Sequence, residues 1–189
     1  MAKLLSAPEL PATLASTRQV IEISEQISEF PRLSEALEQD LGQLETAQRP
    51  AQWRDLPVTG RLRFDFADAQ SEDVTVEVEA TAVVPLVCQR CLEPFEKRLE
   101  AGARLLLVQE ADHPGREGFE NWELEEDLLR PIDLVDELLV MAMPFAAKHA
   151  GDADCGAVAE EAAAPEETVR PFADLKAQLE AARKPDEPE

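Results

Sequence analysis

Two cysteines separated by two residues, Cys88 and Cys91, are the residues of this sequence best suited to chemistry. Two thiolates at this spacing on a tight turn can share one tetrahedral Zn²⁺, provided that two more ligands converge on it. Further along the chain, His149 and Cys155 offer a nitrogen and a third sulfur at a less regular spacing. These four residues form one candidate zinc site, and zinc is the one cofactor that the sequence suggests.

The same cysteine pair has two other interpretations, a redox pair or two small residues packed in a metal-free turn. A thioredoxin-like redox pair sits at the start of a helix after a strand. Here the pair lies between two segments with strand patterns, so it belongs to a turn between antiparallel strands. The sequence therefore disfavours a thiol oxidoreductase, and it leaves a zinc site and a metal-free structural turn as alternatives.

The two histidines, His113 and His149, are the other candidates for a catalytic role. Neither histidine neighbours a serine motif, and the sequence has no Gly-rich phosphate loop and no His-Glu-x-x-His motif. The many glutamates are better explained as a solvated surface. The chain is therefore predicted not to be an enzyme and to have no small-molecule substrate.

The elements that position the cysteine pair are predicted to be strands. Apolar and polar residues alternate over residues 61–66 and 74–82, and the pattern resumes over residues 95–108. A period of two with polar partners is typical of an antiparallel sheet with one buried face. The three runs predict a meander with the cysteine pair on its second turn, where Pro85 is expected to interrupt the pairing. A shorter strand is predicted over residues 18–23.

Helices are predicted on both sides of this meander. Leu33, Leu37 and Leu41 form an apolar stripe, and a second helix begins at Pro131 and ends before Pro144. The fold class is thus α+β, an antiparallel β-meander with a few packed helices. Composition divides the chain into three parts: an α+β domain over residues 1–145, a flexible acidic linker over 146–170, and an amphipathic helix with a charged tail over 171–189.

The charge of the chain narrows the choice of partners. Forty acidic residues against eighteen basic ones give a formal net charge of −22. Such a surface repels polyanions, and tight nonspecific binding of nucleic acid requires cations. A basic protein partner is the easier inference, and an acidic solvated surface without a partner is the alternative.

The sequence also predicts a location. It has no apolar run of about 20 residues, the length that a membrane span requires. Its N-terminal residues lack the apolar stretch of a signal peptide. We therefore expect a cytoplasmic protein that does not associate with a membrane.

Two surfaces are candidates for contact with nucleic acid or a protein partner. The first is a set of basic residues on or beside the predicted strands: Arg61, Arg63, Arg90, Lys97 and Arg98. These residues form either a local basic patch for phosphates or cross-strand ion pairs with nearby glutamates, and the pairing is the favoured interpretation. The second is the apolar stripe of the C-terminal helix, which either docks on the protein's own core or enters a partner's groove. Its residues are Phe172, Leu175 and Leu179.

The residues around the cysteine pair resemble a known signature. The stretch Val87-Cys88-Gln89-Arg90-Cys91-Leu92-Glu93-Pro94-Phe95 resembles that of the YceD-like family, the large ribosomal RNA subunit accumulation proteins. The resemblance continues through Ile132-Asp133-Leu134 and Met143-Pro144, then His149 and Cys155. It ends in Arg170-Pro171-Phe172-Ala173-Asp174-Leu175, so that it covers about residues 18–180.

The resemblance implies a role in the synthesis, processing or stability of 23S ribosomal RNA, and therefore in assembly of the large ribosomal subunit. Some relatives carry a second cysteine cluster after the proline that ends the helix, where this chain has His149 and Cys155 at a different spacing. Because a charge of −22 is poorly suited to gripping RNA widely, the expected partner is a basic ribosomal protein or another assembly factor. Contact with 23S rRNA is expected only at the arginine-rich strands.

Overall fold

The computed structural model describes residues 7–68, 70, 72–109, 112–124, 127–155 and 175. The described residues form a five-stranded sheet whose strands lie side by side in chain order: β1 (Val20–Gln26), β2 (Pro57–Phe66), β3 (Val74–Val87), β4 (Pro94–Val108) and β5 (Glu120–Glu123). Strands β1 to β4 are antiparallel neighbours, whereas β5 runs parallel to β4. The α-helices are α1 (Pro11–Ser16), α2 (Pro31–Leu41) and α3 (Pro131–Met141). The predicted α+β class is confirmed.

The meander of β2, β3 and β4 is present, and the cysteine pair lies in its second turn. The predicted interruption at Pro85 is wrong, since Pro85 pairs with Glu96 and the ladder continues to Val87 opposite Pro94. On its other side, β3 is paired with β2 only as far as Ala82. The missing N–H of Pro85 faces this unpaired side, as does the N–H of Val87 two residues later, so proline removes no ladder hydrogen bond.

One apolar core joins the inner face of the sheet to the helices. Leu33, Leu37 and Leu41 of α2 are all buried, as the apolar stripe predicts. From α3, Leu134 and Leu139 are completely buried in the same core. Helices α2 and α3 pack against each other and against β3. The helices therefore cover one face of the sheet at the strand that leads into the cysteine turn.

A buried carboxylate links the two large helices. Phe30 precedes α2 and offers no side-chain cap. Instead, Asp136 of α3 accepts hydrogen bonds from the backbone N–H groups of Arg32 and Leu33, both at 2.9 Å. Asp136 is only 3% exposed. Its carboxylate thus satisfies two of the N–H groups that the first turn of a helix leaves without partners.

Two short elements were not predicted from the sequence. Helix α1 has six residues and strand β5 has four, too few for either to show a clear hydrophobic period. The N-terminal segment is fixed by a backbone bridge in which Glu9 and Leu129 exchange N–H···O bonds of 2.8 and 2.9 Å. None of the described helices is both long and apolar enough to cross a membrane.

Gly60 in β2 occupies a position where the sheet leaves no room for a side chain. A Cβ there would lie 2.9 Å from the backbone oxygen of Glu79 in β3. We expect Gly60→Ala to lower the free energy of unfolding by about 1–3 kcal/mol, measured by urea denaturation.

The matched control is Gly102→Ala in β4. The nearest atom to its Cβ would be the backbone oxygen of Val78 at 3.7 Å, an ordinary contact. Alanine there is expected to change the free energy of unfolding by less than about 1 kcal/mol. If the two variants lost the same stability, close approach of the strands at Gly60 would not be the cause.

Candidate metal centre

The four residues predicted as metal ligands come together at one point. Their ligand atoms all lie within 4.8 Å of one another: those of Cys88, Cys91, His149 and Cys155. The Sγ atoms of Cys88 and Cys155 are 3.9 Å apart, and Nδ1 of His149 is 3.5 Å from Sγ of both Cys91 and Cys155. Tetrahedral zinc, with Zn–S about 2.3 Å and Zn–N about 2.0–2.1 Å, places two sulfurs about 3.8 Å apart and sulfur and nitrogen about 3.5 Å apart. The donor types and these three distances therefore fit a zinc ion.

The cysteine turn is shaped by its own backbone. The N–H of Cys88 donates to the carbonyl of Glu93 at 3.0 Å, and the N–H of Leu92 donates to the carbonyl of Cys88 at 2.8 Å. Leu92 has a φ of +60°, in the left-handed region that tight turns use. These contacts hold the two cysteines of the turn on one side, where both sulfurs face the segment that follows α3.

That segment carries His149 and Cys155 to the turn. The N–H of Gln89 donates to the carbonyl of Ala147 at 2.8 Å, and the ring of His149 packs on Phe95 with centroids 4.7 Å apart. A 3₁₀ helix over Asp152–Cys155 ends at the third cysteine, and both Ala147 and Cys155 are buried. Within the first ten residues of the predicted linker, 146–155, the contacts to the cysteine turn thus come from Ala147, His149 and Cys155. Residues 156–170 lie outside the described part of the chain, and the linker stays a prediction.

The surroundings of Cys88 and Cys155 shift the pKa values of these two thiols in opposite directions. Burial raises the pKa of Cys88, but hydrogen bonds from the backbone N–H groups of Cys91, His149 and Arg90 and from the Cys91 thiol outweigh it and lower the pKa to about 6. Burial also raises the pKa of Cys155, and the adjacent sulfurs of Cys88 and Cys91 raise it further, to about 11. A divalent cation among the sulfurs would reverse this repulsion and favour the thiolate at every position.

Arg90, which was predicted to contact RNA or a partner, lies beside the cluster. Its Nη1 is 3.8 Å from Sγ of Cys155. Zinc held by three thiolates and a neutral imidazole carries a net charge of −1, which a neighbouring guanidinium offsets. Arg90 is therefore placed to stabilise the charged form of this donor set.

The other basic residues that were singled out lie on β2 and β4 and are exposed. Three of them form ion pairs within the described residues: Arg61 with Glu22 at 2.7 Å, Arg63 with Glu77 at 3.8 Å, and Arg98 with Glu100 at 2.6 Å. Lys97 is exposed on β4. Arg61 and Arg63 pair with glutamates of neighbouring strands, as the favoured interpretation expects, whereas Arg98 pairs with a glutamate of its own strand. The role of these basic residues in binding RNA or a partner stays a prediction.

The predicted C-terminal stripe is described only at Leu175, whose side chain is 47% exposed. Phe172 and Leu179 lie outside the described residues.

Two residues next to the candidate metal centre were not predicted from the sequence. Phe95 supports His149, and Asp40 bonds to the N–H of Val87 at 2.7 Å. Neither contact has a signal in the sequence, because each joins residues that are far apart in the chain.

Comparison with known proteins identifies the family. A family model described as large ribosomal RNA subunit accumulation protein YceD matches residues 76–178, which is more than half of the chain. This chain belongs to the YceD family. The range that matches the YceD model contains all four residues of the candidate metal centre. Searches of curated proteins and of solved structures found no significant match.

Proposed function

We propose that this chain is a non-enzymatic factor for the 23S rRNA of the large ribosomal subunit, and that it acts in the cytoplasm through a basic protein partner. The main support for the proposal is membership of the YceD family, whose members are described as large ribosomal RNA subunit accumulation proteins. A non-enzymatic role is supported by the metal centre. A zinc ion held by all four candidate ligands would have a complete tetrahedral shell, with no position left open for a substrate.

The charge of the protein supports a protein partner. A net charge of −22 repels the phosphate backbone of RNA. Affinity for RNA depends on basic side chains that displace the counterions of the phosphates. The arginines of the open sheet face are engaged with acids, so their charges are largely offset. Basic ribosomal proteins have the complementary charge, which favours fast and specific association. Contact with RNA is then limited to Arg61, Arg63, Arg90, Lys97 and Arg98, and the protein partner is proposed to contact the residues of the C-terminal stripe, Phe172, Leu175 and Leu179.

Binding measurements at about 150 mM salt test this proposal. The purified protein is titrated with individual basic proteins of the large subunit and, separately, with 23S rRNA fragments. We expect affinity for at least one basic protein that weakens as salt is raised, and much weaker binding to RNA alone.

The double variant Arg61→Gln/Arg63→Gln provides the control. It is expected to reduce any RNA binding and to leave the affinity for the protein partner unchanged. Tight binding to 23S rRNA in the absence of every protein would contradict the proposed mode of action.

The metal centre favours a second function that is compatible with the first, the binding of one structural zinc ion. Cys88, Cys91, His149 and Cys155 would hold the ion, which would join the turn of the sheet to the segment after α3. A zinc ion in such a closed site supplies structural stability and does not activate water. Elemental analysis of reduced protein purified without chelators is expected to find one zinc per chain, and protein without zinc would exclude this function.

A further inference from the structure

Asp40 is an acidic residue in an unfavourable position of its own helix. It is the second-last residue of α2, where the negative end of the helix dipole disfavours a carboxylate. The stability of α2 therefore gives no reason for an acid there. Both of its oxygens are engaged elsewhere, since Oδ2 accepts the N–H of Val87 at 2.7 Å and Oδ1 accepts a bond from the side chain of Gln43 at 3.3 Å.

The bond to Val87 satisfies a backbone group that the sheet cannot reach. Val87 is the last residue of β3 and is 1% exposed. Its neighbour across the ladder is Pro94 of β4, and on the other side β2 pairs with β3 only as far as Ala82. Without Asp40, this buried N–H would have no hydrogen-bond acceptor, because no strand lies beside it. An unpaired N–H in an apolar environment costs free energy. The carboxylate thus takes the place of an absent strand at the end of β3.

The next residue after Val87 is Cys88, which is completely buried and is the first member of the metal centre. The following two backbone N–H groups are also committed: Cys88 donates to Glu93 and Gln89 donates to Ala147. Three successive N–H groups therefore fix the entry to the cysteine turn. Only the first of them depends on a side chain, that of Asp40.

We propose that Asp40 is a positioning residue for the metal centre, which sets the orientation of Cys88 through the backbone of Val87. This inference rests on the proposed zinc function. Metal sites depend on such outer contacts, and loss of one lowers metal affinity by about 10–100-fold. Asp40 touches no ligand atom, so it acts only through the position of the turn.

The test measures zinc affinity by competition with a chromophoric chelator, together with the absorption spectrum of the Co²⁺-loaded protein. We expect Asp40→Ala to bind zinc about 10–100-fold more weakly than the wild type and to alter the thiolate-to-cobalt bands. Asp40→Asn keeps an oxygen acceptor and is expected to restore most of the affinity and the wild-type spectrum. If Asp40→Ala does not fold, Asp40→Glu moves the carboxylate by one methylene, keeps the charge, and is expected to weaken zinc binding in the same direction.

Asp136→Ala is the matched control for stability. It removes a carboxylate that bonds to backbone N–H groups at the opposite end of α2, without contact to the metal centre. It is expected to keep the wild-type spectrum and a zinc affinity within about threefold of the wild type, as for independent sites. Equal weakening of zinc binding in Asp40→Ala and Asp136→Ala, or wild-type affinity in Asp40→Ala, would overturn the positioning role. A wild type that binds neither zinc nor cobalt would overturn the metal function and this inference together.

Discussion

Replacing His149 with alanine is expected to remove most of the stability that the proposed zinc ion would give this protein. Zinc that binds only the folded state raises the free energy of unfolding by about 4 kcal/mol when its free concentration is about 1000 times Kd. Nδ1 of His149 lies 3.5 Å from two of the three cysteine sulfurs, so alanine would remove one of the four candidate ligands. Loss of an outer contact lowers metal affinity by about 10–100-fold. Loss of the ligand His149 itself is expected to lower zinc affinity by more than this.

The chain has one other histidine, which gives a matched control. His113 accepts a hydrogen bond from the N–H of Gly115 at 3.1 Å and is not part of the metal centre. Urea denaturation with and without buffered zinc is the measurement. The wild type and His113→Ala should gain the same stability from zinc, and His149→Ala should gain much less. A full zinc response in His149→Ala would show that the metal binds elsewhere.

The second large effect is expected at Asp136, which joins α2 to α3. Alanine would leave the N–H groups of Arg32 and Leu33 without the carboxylate that accepts their hydrogen bonds. The side chain of Asp136 is buried at this site. We expect Asp136→Ala to lower the free energy of unfolding by about 2–4 kcal/mol, the combined effect of a lost cap and two unsatisfied donors. Urea denaturation followed by far-UV circular dichroism measures this change.

Asp133, in the first turn of α3, provides the control. Its replacement removes the same negative charge from the same helix as replacement of Asp136 does. Its carboxylate forms an exposed ion pair with Arg130 at 2.8 Å. Exposed pairs contribute little, so Asp133→Ala is expected to change the free energy of unfolding by less than about 1 kcal/mol. If the two alanine variants were equally stable, the buried link between the helices would not contribute as the contacts indicate.

The effect of Asp136→Ala is also expected to depend on pH. Burial raises the pKa of Asp136, and its hydrogen bonds from Arg32 and Leu33 offset only part of this rise. The contribution of the carboxyl group to stability is therefore complete below its unfolded pKa of about 4 and declines as the pH rises through its folded pKa. The difference in stability between wild type and variant should be larger at about pH 4 than at about pH 7. A difference that grows with pH would contradict this direction.

The sequence was most informative where the structure is local and periodic. Alternation over residues 74–82 and the stripe of Leu33, Leu37 and Leu41 predicted a strand and a helix that both exist with the expected faces buried. The cysteine turn was predicted for the same reason, since strand patterns flank it on both sides. Its four candidate ligands could be chosen by residue type and by their position along the chain.

The contacts that complete the site could not be predicted, because they join distant parts of the chain. Residues 146–155 have no hydrophobic period, so nothing in the sequence indicates that Ala147 would bond to Gln89. Likewise, the partners of Asp136, Arg32 and Leu33, lie more than 100 residues away from it in the chain. Pro85 was expected to break the ladder, because the sequence does not show that β2 ends before reaching it.

The central position of β3 has a consequence for domain boundaries. The family model begins at residue 76, inside β3, yet β3 is paired along most of its length with β2, which precedes that point. A fragment cut there would lose β1, β2 and α2, and its first strand would become an open edge that can pair with other chains. The apolar face that α2 covers would be exposed as well. We therefore expect that the segment by which this family is recognised does not fold alone, and that expression of the region around the cysteines requires the strands and helix that precede residue 76.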